Sequence, residues 1–494
     1  MAKYDVVVIG AGLGGLQCAY ILSKQGKKVC VLEQNRLLGG CLQSFKRKGK
    51  TMDTGFHYVG GLDKGQPLNR LFDYFDLLNL PWQKLDSQAF DQIVYNGKNY
   101  FFCNGYDNFA NRMTEYFPKY KKEIAEYVKF LEEVGYGIFS RFKKNTTGTN
   151  ITDDVLFATN AYSFLKEKLG DDTLINVLSG TSLKMQLNKA KLPLYIFAQI
   201  NSSFIQSAWR LKGGGMQIAD SLANSIKKFG GEIFTNTKAT KFIEQNGKIS
   251  AVETSNGQII EGNDFISNLH PAVTVNMGAE TSFFRKIYRT RINNLQNGFG
   301  MFTANILLKP NKVNYQNRNI YIHETSDIWQ EPNLLHSENP ICALTSFGVP
   351  QKEQGQYAEN IDLLCPMDYA DVEKFNGTKI GSRGNEYEEL KKQKAEKLIN
   401  LAAKYIDGLK DGIDSVYTST PLTYADYTAT KNGAAYGIEK DCNKLMYTLL
   451  TPKTPAPNLY LTGQNLSLHG ILGVSMTSFF TCAEITGIIP ENIF

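Results

Sequence analysis

A short polar stretch between glycines, DTGFHYVGG at residues 53–61, contains residue types that suit proton transfer. His57 and Tyr58 lie at its centre, and both side chains can donate or accept a proton. A further tyrosine, Tyr436, lies in the glycine-flanked stretch NGAAYGIE at 432–439. Glycines allow the backbone to approach a ligand closely, which favours a position beside a reacting group. The alternative is a turn whose polar side chains have only structural roles.

The clearest functional pattern lies in residues 4–33, YDVVVIGAGLGGLQCAYILSKQGKKVCVLE. A predicted strand is followed by Gly10, Gly12 and Gly15 in G-x-G-x-x-G spacing, then by a predicted helix and a second strand. In this context the first glycine permits a tight turn, the second admits a pyrophosphate, and the third lets the helix pack on the strand. Glu33, which ends the second strand, can bind the hydroxyls of an adenosine ribose. The pattern predicts dinucleotide binding, with a structural glycine-rich turn as the alternative.

Two further segments favour FAD over NAD. Gly39 and Gly40 follow Glu33 closely, where a nicotinamide-binding domain would normally continue into another helix and strand. Near the C-terminus, a predicted strand at 459–462 leads through Gly463 into a loop and a helix, which can place N–H groups near a flavin ring. A buried terminal helix with turn glycines is the alternative. Together these segments predict an extended cofactor that is bound along its whole length.

Composition and charge exclude several classes of protein. The 494 residues are 42% hydrophobic and 21% charged, as in soluble globular proteins, and this length predicts two or three domains. Lys and Arg total 54 against 48 acids, which is too mild an excess for a nucleic-acid binder. Local clusters at 46–50 and 119–122 fit a solvated face or contact with an anionic membrane surface. The eight cysteines and five histidines predict neither a disulfide framework nor a metal site.

The N-terminus and the longest apolar runs bear on localisation. The chain enters an aliphatic strand at once, without a charged leader, a long apolar region or a cleavage site. The most apolar late stretch, 471–489, is interrupted by several polar residues, so no run is long enough to cross a bilayer. The sequence therefore predicts a cytoplasmic protein that is at most peripheral to the membrane.

Five stretches resemble the flavin amine oxidase and phytoene desaturase superfamily, and within it most closely the retinol saturases and carotenoid isomerases. They are spread over nearly the whole chain in the family's order: DTGFHYVGG at 53–61, LKGGGMQIADSL at 211–222, ISNLHP at 266–271, NGAAYGIE at 432–439 and LTGQNLSLHGILG at 461–473. The resemblance implies non-covalently bound FAD. It also implies redox or isomerisation chemistry on a conjugated, isoprenoid-like lipid.

An α/β fold with two domains is expected from these patterns and the resemblance. The first is a Rossmann-like FAD-binding domain of the glutathione-reductase and amine-oxidase type. The second is a mixed α+β substrate domain that is built from insertions. We expect the FAD-binding domain to comprise residues 1–65, 205–275 and 455–494, and the substrate domain to comprise residues 66–204 and 276–454.

The resemblance also assigns cofactor contacts by motif position. Those along the dinucleotide are Gly10, Gly12, Gly15, Glu33, Gly39, Gly40, Gly463 and Gln464. Those near the flavin ring are Asp53, Gly55, His57, Gly473 and Val474, and Ala239 is expected to meet the adenine through its backbone. Many flavoproteins have an acid, rather than the amide of Gln464, to bind the ribityl chain. An amide can still donate and accept hydrogen bonds there.

The expected reaction is a change at a C=C bond of a polyene or isoprenoid-like lipid, with saturation favoured. Desaturation and cis-trans isomerisation use the same kind of site and stay open, as does the electron donor. His57 and Tyr436 are the preferred proton donors, followed by His270 and His469. A non-catalytic lipid or prenyl carrier on the same fold and an amine oxidase are the alternatives of other classes. The expected partner is a hydrophobic small molecule, and the oligomeric state is undetermined.

Four segments of the expected substrate domain have helical patterns. Apolar residues at helical spacing predict helices at 68–80, 123–139 and 387–406. The stretch 192–209, LPLYIFAQINSSFIQSAW, is apolar on most faces. It therefore predicts either a core helix or one wall of an apolar tunnel.

Overall fold

The computed structural model of the protein describes residues 3–139, 155–329, 335, 338–351 and 355–488. Within these ranges, the strands form two seven-stranded sheets, one three-stranded sheet and one two-stranded sheet. The strands are β1 (Tyr4–Ile9), β2 (Val29–Leu32), β3 (Ser44–Arg47), β4 (Lys50–Asp53), β5 (Val59–Gly60), β6 (Trp82–Lys84), β7 (Asp91–Tyr95), β8 (Lys98–Phe102), β9 (Ala208–Leu211), β10 (Glu232–Phe234), β11 (Ala239–Gln245), β12 (Lys248–Thr254), β13 (Ile259–Ser267), β14 (Gly300–Leu308), β15 (Asn319–His323), β16 (Cys342–Phe347), β17 (Asn360–Met367), β18 (Ile413–Ser419) and β19 (Leu459–Leu461).

The α-helices pack around these sheets. They are α1 (Leu13–Lys24), α2 (Pro67–Tyr74), α3 (Tyr106–Tyr116), α4 (Lys121–Tyr136), α5 (Val155–Ala158), α6 (Ala161–Leu169), α7 (Asp172–Leu178), α8 (Leu194–Gln206), α9 (Met216–Lys228), α10 (Pro271–Met277), α11 (Lys286–Asn293), α12 (Asn385–Ala402), α13 (Leu409–Gly412), α14 (Pro421–Thr428), α15 (Leu445–Thr448) and α16 (Gly470–Thr486). Among the described residues, none of these helices is both long enough and apolar enough to cross a bilayer.

The first seven-stranded sheet combines strands from three separated parts of the chain. Its order is β10-β2-β1-β13-β12-β11, and β19 also pairs with β13. Strands β10, β2, β1, β13 and β19 are parallel, whereas β11 and β12 form an antiparallel extension. The valine-rich β1 is almost wholly buried, as expected of a parallel strand with both faces covered. A parallel sheet with α1 between β1 and β2 is a Rossmann-like arrangement, so the predicted α/β class is confirmed.

Helix α1 joins the N-terminal motif to the C-terminal helix α16. It packs against both α9 and α16. The Nε2 of Gln17 donates a hydrogen bond of 2.7 Å to the Oγ of Ser475, across 458 positions of sequence. The thiol of Cys18 faces the hydroxyl of Thr462, just after β19, at 3.5 Å. The two ends of the described chain therefore form one packed unit with the sheet.

The second seven-stranded sheet separates two apolar clusters. Its order is β18-β14-β17-β16-β15-β7-β8. Successive residues of β7 point to opposite faces, as the pleat requires. Ile93 belongs to a cluster with residues of helices α3 to α8, whereas Val94 packs with Leu398 of α12 on the other face. This sheet is therefore covered by helices on both sides.

The polar stretch at 53–61 connects the two small sheets. It begins at the end of the β3–β4 hairpin and continues into β5, which pairs with β9. Gly60 lies directly against α8, because a Cβ there would come within 2.4 Å of the carbonyl carbon and oxygen of Ser203. The close contact explains why glycine is needed at this position and keeps the preceding residues beside α8.

The predicted helices exist, but their ends differ from the expected ones. Helices α2, α4 and α12 each begin one or two residues earlier and end several residues earlier than predicted. The prediction of one helix over 192–209 was wrong at its end, since α8 stops at Gln206 and β9 begins at Ala208. Strand β9 pairs with β5 and β6, which are far away in sequence, and local periodicity does not contain that information.

Candidate cofactor and substrate site

A cavity of about 500 Å³ lies at the carboxyl ends of four parallel strands. The residues that follow these strands line it: Gly10 after β1, Glu33 after β2, Asn268 after β13 and Thr462 after β19. Ligands of open parallel sheets bind in this position, where the strands end and the helices begin. We call this space the main cavity.

Gly12 and Gly14 form a wall of the main cavity, which we call the glycine floor, because the neighbouring atoms leave no room for side chains there. A Cβ on Gly12 would lie 2.9 Å from the amide nitrogen of Asn268, and one on Gly14 would lie 2.7 Å from its amide oxygen. Gly14 also faces the backbone of Gly463, at 3.1 Å from such a Cβ. The N-cap residue of α1 is Gly12, and no side chain caps this helix end with a hydrogen bond. The positive end of the helix dipole therefore faces space in which a pyrophosphate fits.

Gly15 has a different role, as its place in the G-x-G-x-x-G pattern predicts. It does not line the main cavity, but a Cβ there would come within 2.0 Å of the carbonyl oxygen of Gly10. Gly15 thus sets the distance between α1 and the turn after β1. Gly39 and Gly40 line the cavity from the loop after β2, both with positive φ angles of 97° and 55°.

One end of the main cavity has the features of an adenosine site. Glu33 is buried, and its two carboxylate oxygens accept hydrogen bonds from the backbone nitrogens of Ala11 at 2.9 Å and Asn35 at 2.8 Å. Burial raises the pKa of Glu33, although these backbone hydrogen bonds oppose the rise. Thr237 and Ala239, near the start of β11, line the same cavity. The structure therefore brings the predicted residues Glu33 and Ala239 to one cavity.

The other end of the main cavity is formed by both large sheets. Gly55 and His57 line it from the polar stretch, and Gln464 and Val474 line it from the C-terminal segment. Apolar side chains of the second sheet complete the wall: Met301, Leu344 and Leu364. Sequence reasoning missed these three residues, because buried strands are apolar throughout and their pattern does not distinguish a cavity wall from the core.

A second cavity, of about 190 Å³, adjoins this end, and we call it the inner cavity. His57, Tyr436 and Ile471 line both cavities, which locates the junction between them. Helix α8 lines only the inner cavity, through the side chains of Gln199, Ile200, Ser203 and Phe204. The stretch 192–209 was interpreted as either a core helix or one wall of an apolar tunnel, and the position of α8 agrees with the second interpretation.

His57 lies where three cavities meet. Besides the main and inner cavities, it lines a small polar cavity of about 30 Å³ that also contains Asp53, Arg210 and Asp362. Its Nδ1 is 3.7 Å from the Oδ2 of Asp362. Its Nε2 is buried and has no hydrogen-bond partner. Asp362 is held in turn by Asn305, whose Nδ2 donates a 2.6 Å hydrogen bond to Oδ1.

Tyr436, the second proton-donor candidate, has its hydroxyl engaged with the backbone. The hydroxyl donates to the carbonyl oxygen of Leu183. The ring packs on His469, with 4.6 Å between the centroids, and burial raises the pKa of the phenol. His469 donates from Nε2 to the carbonyl of Lys184 at 3.0 Å, and burial lowers its pKa to about 4.

Three predicted site residues have local structural contacts instead of clear access to a cofactor. Asp53 does not line the main cavity: its Oδ1 accepts hydrogen bonds from Ser44 and from the backbone of Gly215, both at 2.8 Å, and burial raises its pKa to about 6. Gly473 packs on Leu468, whose carbonyl oxygen would be 2.4 Å from a Cβ.

His270, the third of these residues, borders the main cavity but caps the start of α10. Its Nδ1 accepts a hydrogen bond from the backbone of Ala272 at 3.2 Å, and its Nε2 donates to Asn297 at 2.7 Å. Burial lowers the pKa of His270 to about 4. Both ring nitrogens are therefore occupied by structural contacts.

A buried polar cluster beside the inner cavity was not predicted from the sequence. Lys184 pairs with Asp91 at 2.9 Å, and its ammonium lies 3.7 Å from the ring centroid of Phe204. The hydroxyl of Tyr58 donates to Asp91 at 2.8 Å and lies 2.6 Å from that of Tyr321. Burial lowers the pKa of Lys184 to about 8, while Asp91 opposes this shift. Nothing in the local sequence marks Lys184, because its partners come from distant strands.

Strand order, the glycine floor and the acid after β2 together define a Rossmann-like dinucleotide-binding domain. A family model described as an NAD(P)-binding Rossmann-like domain matches residues 8–75. The chain also has the fold of putrescine oxidase: the enzyme bound to putrescine superimposes with a TM-score of 0.64 over 99% of this chain and 100% of that chain, at 14% identity. The predicted amine-oxidase type of fold is therefore confirmed.

Two curated relatives are similar over nearly the full length. All-trans-retinol 13,14-reductase of Danio rerio is 26% identical over 99% of this chain and 86% of its own length. Prolycopene isomerase 2 of an Oncidium hybrid cultivar is 24% identical over 98% of this chain and 83% of its own length. These similarities confirm the resemblance to the retinol saturases and carotenoid isomerases.

Proposed function

We propose that the protein is an FAD-dependent oxidoreductase that acts on C=C bonds of a polyene or isoprenoid-like lipid, in the direction of saturation. The observation that carries this proposal is the junction of the two cavities at His57. A nucleotide-binding cavity with a glycine floor meets an inner cavity whose wall is largely apolar and aromatic. Relatives named as retinol reductase and prolycopene isomerase support a conjugated lipid as the substrate.

The shape and chemistry of the main cavity fit FAD. Glu33 suits the ribose hydroxyls, the α1 N-terminus suits the pyrophosphate, and the volume of about 500 Å³ is typical of a cofactor site. Gln464 and Gly55 line the same cavity, and we expect them to contact the parts of the cofactor nearer the ring. The domain ranges 1–65, 205–275 and 455–494 for FAD, and 66–204 and 276–454 for substrate, are part of this proposal.

The chain itself would bind the lipid, exclude water and supply a proton. A bound FAD supplies hydride transfer, which adds or removes two electrons at a C=C bond. Saturation also requires a proton at the neighbouring carbon. The Nε2 of His57 is unpartnered at the cavity junction, and Asp362 near Nδ1 can stabilise the protonated ring. We therefore assign the proton transfer to His57 and a positioning role to Asp362.

Tyr436 is the weaker candidate, because its hydroxyl already donates to Leu183. We expect Tyr436→Phe to lower the turnover rate by less than about tenfold. Loss of this buried hydrogen bond should lower the free energy of unfolding by about 1–3 kcal/mol, because the Leu183 carbonyl is left unpaired. Steady-state kinetics and thermal unfolding would measure both effects. A fall of about a hundredfold with unchanged flavin content would instead identify Tyr436 as the proton donor.

Flavin spectroscopy tests the proposed function directly. We expect the purified protein to be yellow, and its dithionite-reduced flavin to be reoxidised without oxygen by a conjugated lipid that becomes more saturated. Desaturation or isomerisation of added phytoene-like or cis-polyene substrates would support the alternatives on the same site. A colourless protein whose melting temperature does not change with added FAD would contradict the proposal and favour a non-catalytic carrier.

A further inference from the structure

We propose that the small polar cavity beside His57 is the route by which protons from the solvent reach the site. In this role the cavity holds water, and the carboxylates of Asp53 and Asp362 pass protons between that water and His57. The inference rests on the proposed function and deepens it, because it names the source of the proton that each saturation consumes.

A separate route is needed because the two larger cavities at His57 are filled during the reaction. His57 lines the main cavity, which we assign to FAD, and the inner cavity, which we assign to the lipid. Each saturation adds one hydride and one proton to the C=C bond, and loss of the proton leaves His57 neutral. One proton from the solvent must restore it before the next turnover. Of the three cavities that His57 lines in the described part of the chain, the small polar cavity alone stays free for water.

Strand β4 and the start of β17 line the small polar cavity from the surface to its buried end. At the surface, the Nζ of Lys50 pairs with the Oε1 of Glu359 at 3.0 Å, and these side chains are 39% and 27% exposed. Asp53 and Asp362 lie three residues further along. The Nδ2 of Asn305 joins them, because it donates to the backbone carbonyl of Asp53 at 3.2 Å and to the Oδ1 of Asp362 at 2.6 Å. Since a strand rises about 3.3 Å per residue, the route is about 10 Å long.

The cavity has the volume and the polar wall that water requires. Its volume of about 30 Å³ has room for about two water molecules, since one needs about 10–15 Å³. Arg210 lines it and is buried, and its Nε has no hydrogen-bond partner within the protein. The rest of this guanidinium is fixed, because it donates to the carbonyl of Phe347 and to the Oδ1 of Asn319 at 2.6 Å. A water molecule that accepts from Nε removes the cost of an unpaired charged donor.

The charges around the cavity favour water over a small ion as its occupant. Burial raises the pKa of Asp53 to about 6, so this carboxyl can take up and release a proton near neutral pH. Acidic and basic groups are nearly balanced, so the cavity does not concentrate ions of one sign. The charged and titratable residues that line it are Lys50, Asp53, His57, Arg210, Glu359 and Asp362.

His57 can take up a proton on the side of Asp362. Its Nδ1 is 3.7 Å from the Oδ2 of Asp362, whereas its Nε2 has no hydrogen-bond partner. Release of the proton from Nε2 to the substrate leaves Nδ1 protonated. A half turn of the ring, which the roughly two-fold χ2 torsion of histidine permits, exchanges the two nitrogens. The unprotonated nitrogen then faces Asp362 and takes up the next proton there.

A crystal structure of the FAD-loaded protein tests the presence of the water without any activity measurement. We expect about two ordered water molecules in the small polar cavity, one of them within hydrogen-bond distance of the Nε of Arg210. A dry cavity would overturn the inference.

Ser346→Val tests whether protons use this route. Ser346 lines the small polar cavity but neither larger cavity, and it pairs with Asp362 in the register of β16 and β17. Two methyl groups in place of the hydroxyl would occupy the space for water. We expect steady-state turnover, with dithionite as the reductant, to fall at least about tenfold and to show a larger solvent deuterium isotope effect. The first reoxidation of the reduced flavin should stay within about threefold of the wild type, because it uses the proton that His57 already carries.

Matched variants separate filling of the cavity from a structural effect. Thr345→Val changes the next residue of the same strand, which points to the opposite face and lines none of the three cavities. Ser346→Ala removes the hydroxyl but leaves the space for water. Both variants should keep the wild-type turnover rate. If Ser346→Val does not fold, Ser346→Thr adds a single methyl group and should show the same separation between steady-state and first-turnover rates.

The substrate in these assays is a conjugated lipid that reoxidises the wild-type flavin, with all-trans-retinol as the first probe. A wild-type steady-state rate in Ser346→Val would overturn the inference and leave the proposed function intact. An equal fall in the steady-state and first-turnover rates would do the same, because it would indicate a disturbed site rather than a slow proton. If no conjugated lipid reoxidises the wild-type flavin, the proposed function fails and the inference fails with it.

Discussion

The Gly15→Ala variant is expected to bind FAD about ten- to a hundredfold more weakly than the wild type. A Cβ at this position would lie 2.0 Å from the carbonyl oxygen of Gly10, which is backbone and cannot turn aside. Helix α1 must then move away from the turn after β1. Overpacking of this kind costs about 1–3 kcal/mol or more, and about 1.4 kcal/mol corresponds to a tenfold change in affinity.

The measurement is the ratio of flavin to protein absorbance, followed by titration of the stripped protein with FAD. Gly26→Ala is the matched control beyond the other end of α1. Gly26 has a φ of +80°, but no heavy atom lies within 4 Å of the position that a Cβ would take. Alanine there would therefore cost about 1–2 kcal/mol of stability without touching the cavity. Retention of wild-type FAD affinity by Gly15→Ala would contradict the proposed role of Gly15 in setting the distance between α1 and the turn after β1.

Replacement of His57 is the second change with a large expected effect. We expect His57→Ala to slow substrate saturation by about 10²–10⁴-fold, the usual contribution of a general acid. The reason is that Nε2 of His57 is an unpartnered ring nitrogen at the junction of the two cavities. Flavin content should not change, because the residues that we expect to hold the nucleotide, such as Glu33, line the other end of the cavity.

Single-turnover reoxidation of the reduced flavin by the lipid would measure the step itself. Asp362→Asn provides a graded comparison, because the amide oxygen can still accept from Asn305 while the charge beside His57 is lost. We expect an effect of about tenfold there. A His57→Ala rate within about tenfold of the wild type would assign His57 a structural role and return the proton transfer to another group.

The nucleotide end of the site could be predicted because its signal is local. Gly10, Gly12 and Glu33 are close in sequence, and the turn, helix and strand that place them are formed by the residues between them. The structure gathers these residues at one cavity. The periodicity of the apolar segments also located the main helices, although not their ends.

The substrate end could not be predicted, because its residues meet only through long-range pairing. Gln199 and Lys184 belong to no local motif, and only the inner cavity shows what they face. Asp53 illustrates another limit of sequence reasoning. Its motif position suggested a cofactor contact, but the β3–β4 hairpin directs its carboxylate to Ser44 and Gly215. A motif gives the path of the backbone better than the direction of a side chain.

The hydrogen bond between Gln17 and Ser475, which spans 458 positions, has a consequence for biosynthesis. During translation, the first nucleotide-binding strands leave the ribosome long before α16 is made. Until then, the apolar faces of β1 and α1 have no permanent cover, and such exposed surfaces are prone to aggregate. We therefore expect slow, post-translational completion of this domain and a strong dependence on chaperones. Loss of the last thirty or so residues should leave an insoluble product rather than a weakened enzyme.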